Sequence, residues 1–300
     1  MGKSAVFRRP AVRRLLQFLS ALIYNADVRN FAAGTVSSSP LKRACVPGLN
    51  CYSCPGALSS CPLGALQNSL AQGRFPFYVT GLLLLFGLVF GRAICGFLCP
   101  FGLIQELIYR IPGPKLGKNA LTRRLSLLKY AFLALPVLAL PLGALLIQGY
   151  GVPFFCEFLC PAGTLEAALP LILVNPSIRE LAGGLFLWKL GALAALVLAS
   201  LFLFRFFCRF ICPLGALYGL FNRFALLGMQ KNRKRCTNCG ECAANCKMDT
   251  RQALDRECIR CGECIGRCPS QALWIGKRGP DYAPEAPFLP KLQLQPGENP

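Results

Sequence analysis

The sequence predicts a mainly α chain: a polytopic transmembrane helical bundle of about four helices, with a small cysteine-rich α+β module near the C-terminal end. Three observations predict it. Of 300 residues, 54% are hydrophobic and only 15% charged, where an ordinary soluble domain carries about 25% charged residues, and the mean hydropathy is +0.46. Uncharged apolar runs recur, flanked by Lys and Arg. The 18 cysteines fall in short fixed spacings, the pattern of metal ligands rather than of a secreted disulfide framework. The net charge of +20 lies beside the apolar runs. It therefore obeys the positive-inside rule, and no nucleic acid is expected as a partner. The chain has no histidine, which excludes His-ligated haem, His zinc sites and Ser-His-Asp triads. No C-x-x-C-H occurs, so no haem is expected. The Arg-rich N-terminus is not followed by a clean apolar core and cleavage site, so no cleavable signal peptide is expected.

Taken in order, residues 1–14 carry Lys3, Arg8, Arg9, Arg13 and Arg14 and should stay cytoplasmic. Leu15 to Ala26 is apolar but short, and Asp27, Arg29 and Asn30 interrupt its continuation. Alone it reads as a poor span or an interfacial helix. Cys45, Cys51, Cys54 and Cys61 then sit in a Gly/Pro-rich loop entering a short helix at Leu63 to Leu70. Phe75 to Gly91 is uncharged between Arg74 and Arg92 and can nearly cross a hydrocarbon core of about 30 Å. It leads into Cys95 and Cys99-Pro100. Residues 103–111 form a short amphipathic helix ended by Pro112 and Pro114, and a basic linker follows. Tyr130 to Cys156 is a span in which prolines at 136 and 141 should introduce kinks, and it reaches Cys160-Pro161. Ala167 to Ile178, broken by Pro170 and Pro176, reads as re-entrant or interfacial. Gly183 to Phe204 is a span with Lys189 snorkelling, ending at Cys208 and Cys212-Pro213.

Four cysteine segments share one continuation: Pro62-Leu-Gly-Ala-Leu66, Pro100-Phe-Gly-Leu-Ile104, Pro161-Ala-Gly-Thr-Leu165 and Pro213-Leu-Gly-Ala-Leu217. Proline presets φ for a first helical turn. Glycine lets backbone approach a bound group, whose sulfurs the free N–H groups can reach. One span separates successive copies, so the copies alternate sides. The loops at Cys99 and Cys212 are basic and read as cytoplasmic. The 148–188 region, with Glu157, Glu166 and Glu180, reads as the outer face. This makes a two-fold internal repeat of helix, outer cysteines, helix, inner cysteines, and it requires residues 13–35 to act as a fourth span.

The inner set is Cys95, Cys99, Cys208 and Cys212. Each C-x3-C pair fits one helical turn, and the two pairs supply the thiolates for one [4Fe–4S] cluster. In the outer set, Cys156 and Cys160 pair with two first-half cysteines. Cys54 and Cys61 are preferred because each precedes proline, with Cys45 and Cys51 as alternative ligands or as an outer-side disulfide. Cys45, Cys51, Cys54 and Cys61 holding a cluster alone is a further alternative. Arg92, Arg205 and Arg209 flank the inner set and read as positive-inside anchors.

The C-terminal run reads Cys236-x2-Cys239-x2-Cys242-x3-Cys246, then Cys258-x2-Cys261-x2-Cys264-x3-Cys268-Pro269. This is the bacterial-ferredoxin arrangement, in which the fourth cysteine of each run ligates the other cluster. Cys236, Cys239, Cys242 and Cys268 should hold one [4Fe–4S] cluster, and Cys258, Cys261, Cys264 and Cys246 the second. Gly240 and Gly262 relieve crowding in the ligand loops, and Lys247 stands where proline is usual. Zinc sites use paired C-x2-C and fit less well. Residues 1–230 thus read as a transmembrane cluster-binding domain, 231–278 as a 2[4Fe–4S] ferredoxin module and 279–300 as an irregular tail. The module accounts for two clusters, and the membrane part for one to two more.

The C-x3-C-P elements at 95–100, 156–161 and 208–213, with the double motif at 236–269, resemble the membrane polyferredoxin family. That family includes NapH-type subunits, NosR-type regulators and CcoG-type proteins. The resemblance covers about residues 75–275; the Cys45 to Cys61 segment lies outside the usual NapH-type pattern. It implies four membrane helices and electron transfer between a quinol pool, clusters and a partner. The expected function is an integral-membrane iron–sulfur relay between a cytoplasmic or quinone-pool donor and a redox partner. Membrane lipid, redox proteins and quinone are its expected partners. It is expected in the cytoplasmic membrane, multi-pass, with both termini cytoplasmic. A metal- or thiol-reducing assembly factor for a respiratory enzyme and an iron–sulfur redox sensor are the alternatives. No nucleophile or acid–base pair is evident, so no catalytic residue is assigned. Any enzymatic role is that of a quinol-dehydrogenase-like electron-transfer subunit.

Overall fold

A computed structural model describes residues 10–117, 119–250 and 255–277. The expected tail, 279–300, lies outside the described residues. The chain is mostly helical. Three helices begin as the repeated motif dictates, with a cysteine at the cap and proline in the first turn: Pro62–Ala71 after Cys61, Pro100–Tyr109 after Cys99, and Pro213–Phe221 after Cys212. The fourth copy opens a helix of which Gly163–Val174 is the apolar part.

Among the described residues, two helices are long and apolar enough to cross a membrane, Ala120–Gln148 and Gly184–Phe202. Phe77–Phe90 is apolar but shorter. In the first of the long helices, Pro136 lies within a π-helical stretch, Leu133–Ala139, where the ladder adjusts to a residue without an N–H. The N-terminal helix is only Pro10–Tyr24. It stops because Asn25 and Asp27 turn the chain: the Asn25 amide donates to the side-chain oxygen of Asn50 at 2.8 Å, and the Asp27 N–H donates to the carbonyl of Gly56 at 3.1 Å. One face of this helix buries Arg13, Gln17 and Ser20 against Ala93–Phe97 and Pro100–Tyr109, while Leu15, Phe18 and Ile23 face outward.

The main core is built around the cysteines. Cys61, Cys95, Cys99, Cys160, Cys208 and Cys212 are buried in it together with Phe101, Phe155 and Phe207. The C-terminal module is a two-stranded antiparallel sheet of β1 (Leu227–Lys231) and β2 (Leu273–Lys277), registered by Met229 opposite Ile275. Two short helices, Glu241–Ala244 and Glu263–Arg267, complete it. Its ligand loops repeat residue for residue in their backbone. Positive φ occurs two residues after the first cysteine of each run (Asn238, Arg260), at the glycine four residues on (Gly240, Gly262), and three residues after the last cysteine (Asp249, Gln271).

Candidate functional site: two cysteine cavities and a docked module

The inner cysteines of the two chain halves meet. Cys95, Cys99, Cys208 and Cys212 line one cavity, closed by Pro47, Leu49, Phe101, Phe207 and their neighbours. A [4Fe–4S] cluster needs four thiolates, a dry surround and N–H donors aimed at sulfur. The cavity offers all three. The Gly215 N–H donates to Cys212 Sγ at 3.3 Å, and the Gln105 amide donates to Cys208 Sγ at 3.1 Å. Among the described residues no group of three or more Cys, Asp or Glu side chains is placed to hold a metal ion as it stands; Cys95, Cys99, Cys208 and Cys212 would have to draw closer to ligate a cluster.

The arginines beside this cavity are not membrane-edge anchors. Arg92 and Arg205 are 0% exposed and Arg209 4%. Arg92 and Arg205 each stand three residues before the first inner cysteine of their own half, and each reaches across to the other half. Arg92 Nη2 donates to the carbonyl of Cys208 at 3.1 Å, and Arg205 Nη1 to the carbonyl of Cys95 at 2.5 Å. A Cβ at Gly215 would lie 3.5 Å from Arg92 Nη2, and one at Gly102 would lie 3.1 Å from the Arg205 guanidinium. The glycine of each motif thus leaves room for the opposite arginine. Arg205 holds a backbone φ of +50°, which a non-glycine residue seldom adopts.

Buried cations need compensation. Glu106 bridges Arg13 (2.7 Å) and Arg205 (2.6 Å). Glu257 joins Arg92 (2.5 Å) and Lys129. Asp249 joins Arg209 (2.6 Å) and Arg123 (2.9 Å). Burial alone would raise the Glu257 carboxyl, but the charges of Arg92 and Lys129 outweigh it and hold the group below its ordinary range. Glu257 and Asp249 belong to the ferredoxin motif segment, so two of the three clamps fasten that segment to the inner cavity.

The outer cavity is lined by Cys51, Cys61, Cys156 and Cys160, with Tyr52, Lys189 and other neighbours. The residues around it again cross between halves: a Cβ at Gly64 would lie 3.9 Å from Cys156 Sγ, and one at Gly163 would lie 3.8 Å from Cys51 Sγ. Cys54, preferred on sequence, does not line this cavity; Cys51 does. The reason is non-local. The Cys51 N–H donates to Glu166 Oε2 at 2.7 Å, and that bond draws the Cys51 loop onto the second half. Cys45 is half-buried and Cys54 buried, and neither lines the cavity. Lys189 does not snorkel away: its Nζ lies 3.5 Å from the carbonyl of Cys156.

In the module the two ligand sets differ in burial. Cys258 is buried, whereas Cys239 is exposed. Burial pushes the Cys258 thiol up and the Cys261 thiol to about 11. Burial is the largest single influence on Cys268 and raises it, but hydrogen bonds from Ser270 and from backbone N–H groups together outweigh it and hold the thiol below its ordinary value.

One class of site residue escapes the cysteine-centred reading. The sixth residue after each motif cysteine is Gln67, Gln105, Glu166 or Tyr218, and each grips the opposite half. The Cys156 N–H donates to Gln67 Oε1 at 3.1 Å, the Phe207 N–H donates to Gln105 Oε1 at 2.9 Å, and Glu166 accepts from Cys51. The Tyr218 hydroxyl donates to the carbonyl of Pro47 at 2.9 Å. Extending the alignment of the four copies by one residue brings these positions into register.

A chain with a bacterial-ferredoxin ligand run packed against further all-cysteine cavities is an iron–sulfur protein of the ferredoxin type. Comparison with known proteins agrees. Residues 75–119, 133–170 and 185–234 match a 4Fe-4S binding domain family, and these segments carry the C-x3-C-P elements. The chain is 27% identical over 207 residues to "Putative electron transport protein YccM" of Escherichia coli (64% of this chain, 54% of that one). It is 33% identical over 194 residues to "Methylamine utilization ferredoxin-type protein MauN" of Methylorubrum extorquens (62% and 59%). It is 29% identical over 169 residues to "Regulatory protein NosR" of Stutzerimonas stutzeri (54% and 21%). The resemblance to the membrane polyferredoxins therefore holds. The chain spans about half the length of the first curated relatives it matches. No solved structure matches it significantly.

Proposed function

We propose that the chain is an integral-membrane electron-transfer protein that relays electrons between its ferredoxin module and the outer cysteine site by way of the inner one. The observation that carries this reading is the ring of Cys95, Cys99, Cys208 and Cys212 lying against the Cys258 loop. When bound, [4Fe–4S] clusters supply one-electron steps at each site. The protein's part is to exclude water with Phe101, Phe155 and Phe207, to fix the sites with Arg92, Arg205 and Glu257, and to tune them through N–H groups on sulfur. Cys51, Cys61, Cys156 and Cys160 serve as the outer ligand set, leaving Cys45 and Cys54 over. The reading keeps the two-fold repeat and four membrane passes, with the N-terminal helix as the short first member and the module on the cytoplasmic side. The electron donor or acceptor is a redox protein or a quinone.

Anaerobic purification with iron and sulfide counting, followed by a redox titration monitored by EPR, tests this. Four cubane clusters are expected, and fewer than three would remove the membrane sites from the relay. Cys99→Ser and Cys212→Ser should each abolish the same EPR signal. Loss of different signals would break the cross-half ligand set.

A further inference from the structure

The module is fastened to the rest of the chain at the end that carries Cys258. Asn222 Nδ2 donates to the carbonyls of Asp255 (2.9 Å) and Cys258 (3.0 Å), and Arg260 Nη1 donates to that of Phe90 at 2.6 Å. Glu257 is clamped by Arg92 and Lys129. A Cβ on Gly96 would lie 2.3 Å from the carbonyl oxygen of Ile259, closer than any side chain tolerates. The backbone next to Cys258 therefore rests directly on the backbone next to Cys95. The Cys258 loop at this end is occupied by the rest of the chain.

The other end is open. Thr237, Asn238, Cys239 and Gly240 are exposed, and so are Arg233, Lys234 and Arg235 just before them. A redox protein has to bring its own centre close to a ligand at the surface, and Cys239 is such a ligand. Three adjacent cationic side chains raise the local concentration of an anionic partner and speed its encounter.

We propose that the Arg233 to Gly240 face is the docking surface for an acidic one-electron carrier protein of flavodoxin or ferredoxin type. In this proposal Cys236, Cys239, Cys242 and Cys268 would hold the cluster at the solution terminal, and Cys258, Cys261, Cys264 and Cys246 would hold one placed to pass electrons on at the Ile259–Gly96 contact. One electron leaves the carrier's flavin or iron–sulfur centre, which is oxidised, and the exposed-end cluster is reduced by it. No bond forms or breaks and no proton moves. Flow in the other direction uses the same contacts with donor and acceptor exchanged. The proposal rests on the electron-transfer reading above.

The test uses the full, cluster-loaded chain in neutral-lipid nanodiscs and purified flavodoxin as the probe. Binding of the oxidised carrier and the rate of cluster reduction by the reduced carrier are measured against ionic strength. Reversing the three charges together (Arg233→Glu, Lys234→Glu and Arg235→Glu) should weaken binding and slow reduction about tenfold or more at low salt and abolish most of the salt dependence. Iron content and the rate of reduction by dithionite should stay unchanged. Arg124→Glu, at an exposed cation elsewhere, should alter none of these. Equal flavodoxin binding by the reversed chain and the parent overturns the proposal. So does the pattern in which reversal spares flavodoxin but abolishes binding to phosphatidylserine vesicles, because the run is then a lipid contact. An iron and sulfide count showing no clusters at 236–268 in the parent chain instead overturns the electron-transfer reading on which the proposal stands.

Discussion

Glu257→Gln isolates the clamp that seats the module. The carboxylate lies between two cations that are both 0% exposed, Arg92 and Lys129. Glutamine keeps the shape and one acceptor oxygen but removes the compensating charge. Breaking a buried ion pair by removing one partner costs about 3–5 kcal/mol, because the remaining charge stays desolvated. Here two cations lose their partner together, so the upper part of that range applies to detachment of the Cys258 end. Arg92 also holds the carbonyl of Cys208, which couples the loss to the inner cavity. Amide hydrogen exchange over residues 255–277 in nanodiscs reads the opening equilibrium directly. A loss of about 4 kcal/mol raises the open population by roughly several hundredfold. Adding Lys129→Met should recover part of the loss, since one uncompensated cation is then gone. An exchange increase below about fivefold, or no recovery in the double variant, would refute the view that opposed charge seats the module.

Three further outcomes are expected. Gln105→Leu removes the N–H donated to Cys208 Sγ. It should lower the inner cluster's reduction potential by about 40 mV for each ~1 kcal/mol by which that bond favours the reduced state, measured by EPR titration with the ligand count unchanged. Gly96→Val places side-chain atoms where the Ile259 carbonyl now sits. It should displace the module and weaken the magnetic coupling between the inner cluster and its neighbour, while all clusters remain loaded. Cys51→Ser should abolish the outer-site signal, whereas Cys54→Ser should leave it, because Cys51 lines the cavity; the opposite pattern would return the outer ligand to Cys54.

Spacing made the cysteine groups legible. A C-x3-C pair on one turn, or a C-x2-C-x2-C-x3-C loop, restricts a candidate ligand set locally, and the recurring Cys-Pro-x-Gly element grouped the pairs into an inner and an outer set. The inner four, grouped in this way, line one cavity. Whatever depended on partners far along the chain was not legible. Arg92 and Arg205 look like edge charges until Glu257, Glu106 and the crossed carbonyls are in view, since a sequence records charge but not burial. Proline adjacency singled out Cys54, a local cue, yet the outer cavity is closed by Cys51 through Glu166, 115 positions away. The two-fold repeat, against the hydropathy, asked for a first span near 13–35, but Asn25 and Asp27 direct their hydrogen bonds to the Asn50 to Gly56 loop and end the helix at Tyr24. The residues six places after each cysteine repeat as regularly as the glycines, but their chemistry varies among amide, carboxylate and phenol, which hides them from a motif drawn on identity.

The crossed grip of those residues bears on how the protein is made. Each cavity takes two cysteines from each half, and the arginine or glutamine that steadies a pair is encoded on the other side of the 110–120 linker. With the ligand sets proposed above, a nascent first half would leave the ribosome with two incomplete cavities, neither able to retain iron until the second half has folded onto it. Metal loading of these sites would then be postponed to the end of synthesis, and mature holoprotein would be its own report that both halves have assembled.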